Sequence, residues 1–139
     1  MAGSILRDAF DHHVWATTLL IDVCAPLSDE QLGTVVTGTY GPILGTTRHL
    51  VDSDRWYLSV ITNGRIAPLE HAEQMDLAAL RTAMDENGVS WSNLLDDQLD
   101  PDEAIIRRRD DGSEFRAPLG IRLAQAVHHG SDHRSQICT

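Results

Sequence analysis

Lysine is absent from this chain, so all 11 basic residues are arginines, and they are outnumbered by 21 acidic residues. A protein that binds nucleic acid needs a basic surface for the phosphates, and a formal net charge of −10 provides none. Only residues 107–109 form a basic run. We therefore expect no nucleic-acid partner. The exclusive use of arginine favours a genome of high GC content, in which arginine codons displace lysine codons.

Cysteine and long apolar runs are also scarce. Cys24 and Cys138 are far apart in the sequence, which argues against a disulfide framework, and we interpret both as buried apolar residues. No run approaches the length of about 18 apolar residues that a transmembrane helix requires. The first residues lack the pattern of a signal peptide. These absences predict a cytoplasmic protein without a membrane partner.

Apolar residues recur at helical spacing in four segments, namely residues 5–24, 43–61, 77–99 and 119–137. Ser4 and Asp76 are suitable N-caps for the first and third segments, and Pro26 is expected to end the first. Asn63 and Gly64 supply a stop signal for the second segment. Ser28 can begin a short extra turn. Gly88 weakens the third segment, but we expect a continuous helix there.

The fold class that follows is all-α, a four-helix bundle with long connections of the up-down-down-up type. We expect residues 1–139 to form a single domain. Asp111 and Gly112 indicate a small β-hairpin at about residues 104–117, and a longer loop is the alternative. The three tryptophans, Trp15, Trp56 and Trp91, are interpreted as packing residues in the core or in a dimer interface.

The last predicted helix contains the most specific signal. His129 and His133 are four residues apart, so both imidazoles lie on one helix face and can reach one metal ion. Two ligands hold a metal weakly, and His49 in the second helix is the best candidate for the third. Three neutral imidazoles leave a coordination position for water or substrate, as in catalytic sites. The alternative is a chance pair together with a core histidine.

Three stretches together resemble the DinB-like family, also called the YfiT or damage-inducible bundle family: residues 11–20, residues 48–51 (Arg-His-Leu-Val) and residues 127–136, which include His-x-x-x-His-Arg-x-Gln. The resemblance covers nearly the whole chain. It implies metal ligands at His49, His129 and His133, a four-helix bundle and a homodimer. Asp132 and Ser135 depart from the family pattern without removing a ligand, and we expect Asp132 to face solvent.

Further residues are candidates for the pocket or for contacts that support the ligands: His13, Trp56, Arg134 and Gln136. Either His12 or His13 should face the bundle interior, where it reaches the open metal position or forms a buried hydrogen bond. Exposed positions are expected for His71, His128 and Arg107 to Arg109. A clamp for a substrate carboxylate is the alternative interpretation of the three arginines.

The family resemblance suggests an activity. Its better-understood members use a low-molecular-weight thiol, mycothiol or bacillithiol, as S-transferases or isomerases. We expect a divalent ion, with Zn, Ni and Fe not distinguishable, to activate such a thiol for attack on a small-molecule electrophile. The alternatives are a metal-dependent hydrolase and a non-catalytic metal-binding stress-response protein. Since the sequence ends soon after His133, either a C-terminal part is absent or the last turn frays.

Overall fold

The computed structural model describes residues 4–139, which form a helical bundle with a small hairpin. The α-helices are α1 (Ile5–Cys24), α2 (Asp29–Leu32), α3 (Ile43–Ile61), α4 (Leu77–Asp96) and α5 (Leu119–Ile137). The strands are β1 (Ala104–Arg108) and β2 (Glu114–Pro118), and a 3₁₀ turn covers Ala72–Gln74. The predicted all-α bundle is confirmed.

The helix boundaries follow from local capping. Ser4 accepts a hydrogen bond from the Arg7 N–H, and Asp76 accepts one from the Ala79 N–H, so both predicted N-caps are confirmed. At the end of α3, Asn63 and Gly64 have φ angles of 51° and 80°, which an α-helix does not allow. These signals fix where three of the long helices begin or end.

The predicted end of the third long helix at Leu99 is wrong. α4 ends at Asp96, and the backbone of Asp97 is extended, with φ −73° and ψ 155°. Carboxylates at the last turn face the negative end of the helix dipole, which disfavours a longer helix. Gly88 does lie inside a continuous α4, as expected. A Cβ at this position would lie 2.8 Å from Val14 Cγ1, so glycine allows α1 and α4 to approach closely.

The bundle core lies between two extensive pairings, α1 with α4 and α3 with α5. Phe10 and Trp91 are each 1% exposed, and their ring centroids are 4.4 Å apart. The core interpretation of Trp91 is therefore confirmed. Trp15 is 58% exposed and does not belong to the core. Cys24 is buried, but Cys138 is exposed, which corrects its interpretation as a buried residue, because it lies beyond the last turn of α5.

The predicted hairpin is present and contacts α3 and α5. β1 and β2 are antiparallel, with Ile105 opposite Ala117 as the pair buried against the bundle. Gly112 has a φ of 82° in the connecting turn, as the Asp-Gly signal requires. Across residues 4–139, none of the helices has both the length and the hydropathy needed to cross a bilayer.

Candidate metal centre

The three predicted ligands come together where α3 faces α5. His49, His129 and His133 each offer one ring nitrogen, and these nitrogens all lie within 4.8 Å of one another. The His49 Nε2 and His129 Nε2 atoms are 3.1 Å apart. Two nitrogens bound to one tetrahedral zinc ion are roughly 3.4 Å apart, given bonds of about 2.0–2.1 Å. We call these residues the histidine cluster; its donor set is compatible with a divalent metal ion.

The electrostatics of the histidine cluster favour neutral rings. Burial, with smaller contributions from the neighbouring His133 and His49, lowers the pKa of His129 to about 4. Burial also lowers the pKa of His49, with a second contribution from His133, while Asp52 opposes both. At neutral pH these two imidazoles therefore keep their lone pairs, and a lone pair is what a metal ion requires.

Neighbouring side chains orient two of the rings. The Gln136 Oε1 atom accepts a hydrogen bond from the Tyr40 N–H at 3.0 Å and lies 3.2 Å from His133 Nδ1. Because this amide oxygen only accepts, His133 must donate from Nδ1, which leaves the Nε2 lone pair for a ligand. Ser53 Oγ lies 3.4 Å from His49 Nδ1, so the ring edge opposite His129 is also engaged.

Tyr40 brings an aromatic ring to the histidine cluster from the loop before α3. Its ring stacks on His49 with centroids 4.2 Å apart and planes 10° apart, and it meets the edge of His133 at 5.3 Å. Sequence reasoning missed this residue. The loop carries three glycines, and a loop position gives no periodic signal from which the direction of a side chain could be inferred.

A second set of polar side chains lies in the interior beside the cluster. His13 Nε2 is 2.8 Å from Asp54 Oδ1, and Trp91 Nε1 donates to Asp54 Oδ2 at 3.0 Å. Arg134 Nη1 lies 2.9 Å from His13 Nδ1 and donates to Thr17 Oγ1 at 2.9 Å. Since a guanidinium only donates, His13 Nδ1 accepts and its Nε2–H donates to Asp54. We call these five residues the buried network; it joins α1, α3, α4 and α5.

A glycine makes this network possible. Gly130 lies on α5 between the two histidine ligands, and a Cβ there would be 2.5 Å from His13 Nδ1. Any side chain would displace the imidazole from Asp54 and Arg134. Burial lowers the pKa of the Arg134 guanidinium, whereas the charge of Asp54 raises it. Glycine at position 130 therefore allows α1 to pack closely against α5.

The remaining predicted residues separate into two groups. His13, Arg134 and Gln136 contact the buried network or the histidine cluster, as described above. Trp56 lies under the guanidinium of Arg107, with the Arg107 Cζ atom 4.9 Å from the ring centroid. Within residues 4–139, its ring pairs with Tyr57, and neither a ring pair nor a hydrogen bond joins it to the cluster. The side chains that are exposed, as predicted, are His71, His128, Asp132 and Arg107 to Arg109. His12 is also exposed, so His13 is the inward member of that pair.

Asp54 is a second residue that sequence reasoning missed. It occupies an apolar-spaced position of α3 and is only 3% exposed, and a carboxylate at such a position is the signal that could have indicated a buried pair. Its two hydrogen-bond partners, His13 on α1 and Trp91 on α4, come from other helices, which no local pattern shows.

A cavity of about 350 Å³ opens beside His49. Its lining comes from the Tyr40 loop, α3 and the 3₁₀ turn, and consists of Tyr40, Gly45, Arg48, His49, Asp52, Ala72 and Glu73. This volume lies in the range of small-molecule sites. The mixture of one arginine with two acidic residues favours a polar occupant.

Comparison with known proteins agrees with the geometry. No curated protein matches this chain at a significant level. The family model described as "DinB family" matches residues 1–139, which is the whole chain. With a helical bundle and a three-histidine cluster already described, this match shows that the chain belongs to the DinB family.

Proposed function

We propose that this protein is a metal-dependent thiol S-transferase of the mycothiol or bacillithiol type. The observation that carries the proposal is the histidine cluster, in which His49, His129 and His133 place three ring nitrogens within 4.8 Å of one another beside an open cavity. A bound divalent ion would lower the pKa of a thiol or of water at this position. The thiol part of the proposal rests on the family resemblance.

The chain's own residues would prepare the cluster for that chemistry. Gln136 fixes the His133 ring with Nε2 available, and the Tyr40 ring covers the face of His49. The cavity next to His49 would hold the electrophile or the thiol near the ligands. Orientation of the ligand rings by such neighbours determines much of the affinity of a metal site.

Metal content of purified, untagged protein tests the site directly. We expect His129→Ala and His133→Ala to lower metal occupancy by at least tenfold in elemental analysis, since each removes one of three ligands. His128→Ala is the matched control, because His128 is an exposed histidine next to a ligand and should leave the occupancy unchanged. Equal occupancy in all three variants would contradict the site assignment.

The reaction is tested by a conjugation screen with and without the metal found. Mycothiol, bacillithiol and a panel of electrophiles should give turnover that depends on both thiol and metal. Turnover of esters or amides without added thiol would favour the hydrolase instead. If His49→Ala loses metal and no substrate panel gives turnover with the wild type, the non-catalytic metal-binding protein becomes the better interpretation.

We also propose a cytoplasmic homodimer. On α1, Trp15, Leu19 and Val23 are spaced by four residues, so they form one apolar stripe, with exposures of 58%, 46% and 61%. A second copy would cover this stripe. Sedimentation velocity should show a dimer for the wild type and a monomer for Trp15→Asp, and a monomeric wild type would refute the dimer.

A further inference from the structure

Arg122 on α5 has a buried guanidinium whose hydrogen-bonding capacity is largely unused. The residue is 5% exposed, and its Nε and Nη2 atoms have no hydrogen-bond partner within residues 4–139. Its Nη1 atom donates to Gln125 Oε1 at 3.3 Å. A buried charge without a partner costs several kcal/mol, so a protein rarely retains one without a use for it.

Five other arginines of this chain have an acidic partner, which Arg122 lacks within residues 4–139. Salt bridges to Asp or Glu are formed by Arg7, Arg55, Arg81, Arg108 and Arg116. Arg122 forms none within the described residues, although acidic residues outnumber arginines in this chain. The absence of an internal counterion at the buried position therefore indicates a counterion that comes from outside.

The two unpaired nitrogens determine the shape of that counterion. Nε–H and one Nη2–H point in parallel from the same edge of the guanidinium, and this edge receives the two oxygens of a carboxylate in a bidentate pair. Two aromatic residues lie near the guanidinium: the Arg122 Cζ atom is 5.0 Å from the centroid of the Phe115 ring, and the charge of Arg122 lowers the pKa of Tyr57, which burial raises more strongly. A single cation in an apolar setting suits a monoanion of an organic acid.

The position of Arg122 connects it to the histidine cluster. Arg122 lies seven residues before His129, so both side chains lie on one face of α5, about 10 Å apart along the helix axis. Tyr57 lies near both: its ring centroid is 6.1 Å from that of His129, and the charge of Arg122 acts on its phenol group. Phe115 covers the guanidinium but is 45% exposed, and exposed side chains change rotamer within nanoseconds. Movement of this ring would uncover part of the guanidinium.

We propose that Arg122 anchors a carboxylate of a substrate whose reactive end reaches the histidine cluster. The existence of the anion site does not depend on the metal, whereas its use in turnover rests on the proposed function. The carboxylate belongs either to the thiol or to the electrophile. The structure thus places the carboxylate contact at Arg122 rather than at the exposed residues 107–109.

Benzoate is a suitable probe, with benzamide as the neutral molecule of the same shape. Calorimetric titration of chelator-treated protein should show benzoate binding at least tenfold more tightly than benzamide. Arg122→Met should abolish this preference, whereas Arg116→Met, an exposed arginine on the neighbouring strand, should preserve it. Phe115→Ala should strengthen benzoate binding severalfold by uncovering the guanidinium.

Each other result overturns the proposal. Equal binding of benzoate and benzamide, or a preference that survives Arg122→Met, excludes Arg122 as the anchor. Failure of Arg122→Met to fold would show that the charge is satisfied within the protein. Arg122-dependent binding of inorganic phosphate in place of benzoate would exclude the carboxylate.

Two further measurements separate this inference from the proposed function and locate the carboxylate. Benzoate should bind His129→Ala as it binds the wild type, even if that variant loses its metal or no transferase activity is found. In turnover assays, Arg122→Met should raise the KM of the carboxylated substrate at least tenfold, with little change in the KM of the other. An equal fall in kcat for all substrates would contradict an anchoring role.

Discussion

The buried network and the histidine cluster share the last turns of α5 but differ in how much of their hydrogen-bonding capacity the protein itself uses. In the network, both oxygens of Asp54 accept hydrogen bonds, and both ring nitrogens of His13 are engaged. In the cluster, nitrogens of His49 and His129 face each other at 3.1 Å with lowered pKa values. Polar groups paired with complementary partners hold helices together, whereas imidazole nitrogens that face only each other remain available to a ligand.

The largest expected effect comes from breaking the buried network. Asp54→Asn turns an amide N–H toward the donor of His13 or Trp91, so one buried donor loses its acceptor. We expect the free energy of unfolding to fall by about 3–5 kcal/mol. Urea denaturation of metal-free protein at pH 7 measures it. Asp52→Asn, a half-buried aspartate on the same helix, is the control, and equal losses in the two variants would contradict the role of the network.

A smaller loss is expected from steric displacement within the same network. Gly130→Ala places a Cβ 2.5 Å from His13 Nδ1, and overpacking of this kind costs typically 1–3 kcal/mol. Gly45→Ala is the matched control, because its Cβ would meet Pro42 Cδ at an ordinary 3.6 Å. Thermal unfolding should show a lower Tm for Gly130→Ala and an unchanged or higher Tm for Gly45→Ala. The reverse order would show that His13 can move without cost.

The smallest expected effect concerns the histidine cluster and the pH dependence of stability. Above pH 6.5 both the folded and the unfolded chain hold His129 neutral. Between pH 6.5 and about 4 the unfolded chain binds a proton that the folded chain does not, so the stability of metal-free protein falls as the pH falls through this window. His129→Ala should flatten the decline, measured by urea denaturation across the window. His71→Ala, an exposed histidine, should leave it unchanged; an identical decline in all proteins would assign it to other groups.

Local signals were sufficient for much of the fold. Ser4, Asp76 and Gly112 act within a few residues of themselves, so capping and turn chemistry predicted their roles. The spacing of His129 and His133 likewise follows from one helix. The end of α4 was predicted too late because the apolar pattern continues through Leu99, which still packs against the core after the helix has ended.

The remaining parts depend on contacts between distant segments. Asp54 and His13 are far apart in the chain. They form a pair only because α1 and α3 both pack against α4 and α5. Arg122 has the right spacing from His129, but its burial requires the hairpin that carries Phe115. Tyr40 belongs to a loop without periodicity. Sequence spacing therefore predicts which residues share a helix face, but not which of them find partners.

The contact between Arg134 and α1 has a consequence for the dynamics of the molecule. The last turns of a helix usually open by local unfolding, independently of the rest of the domain. Here Arg134 ties them to His13 and Thr17, which are 1% and 0% exposed. We therefore expect the segment that carries His129 and His133 to open together with the core rather than by fraying of one helix end.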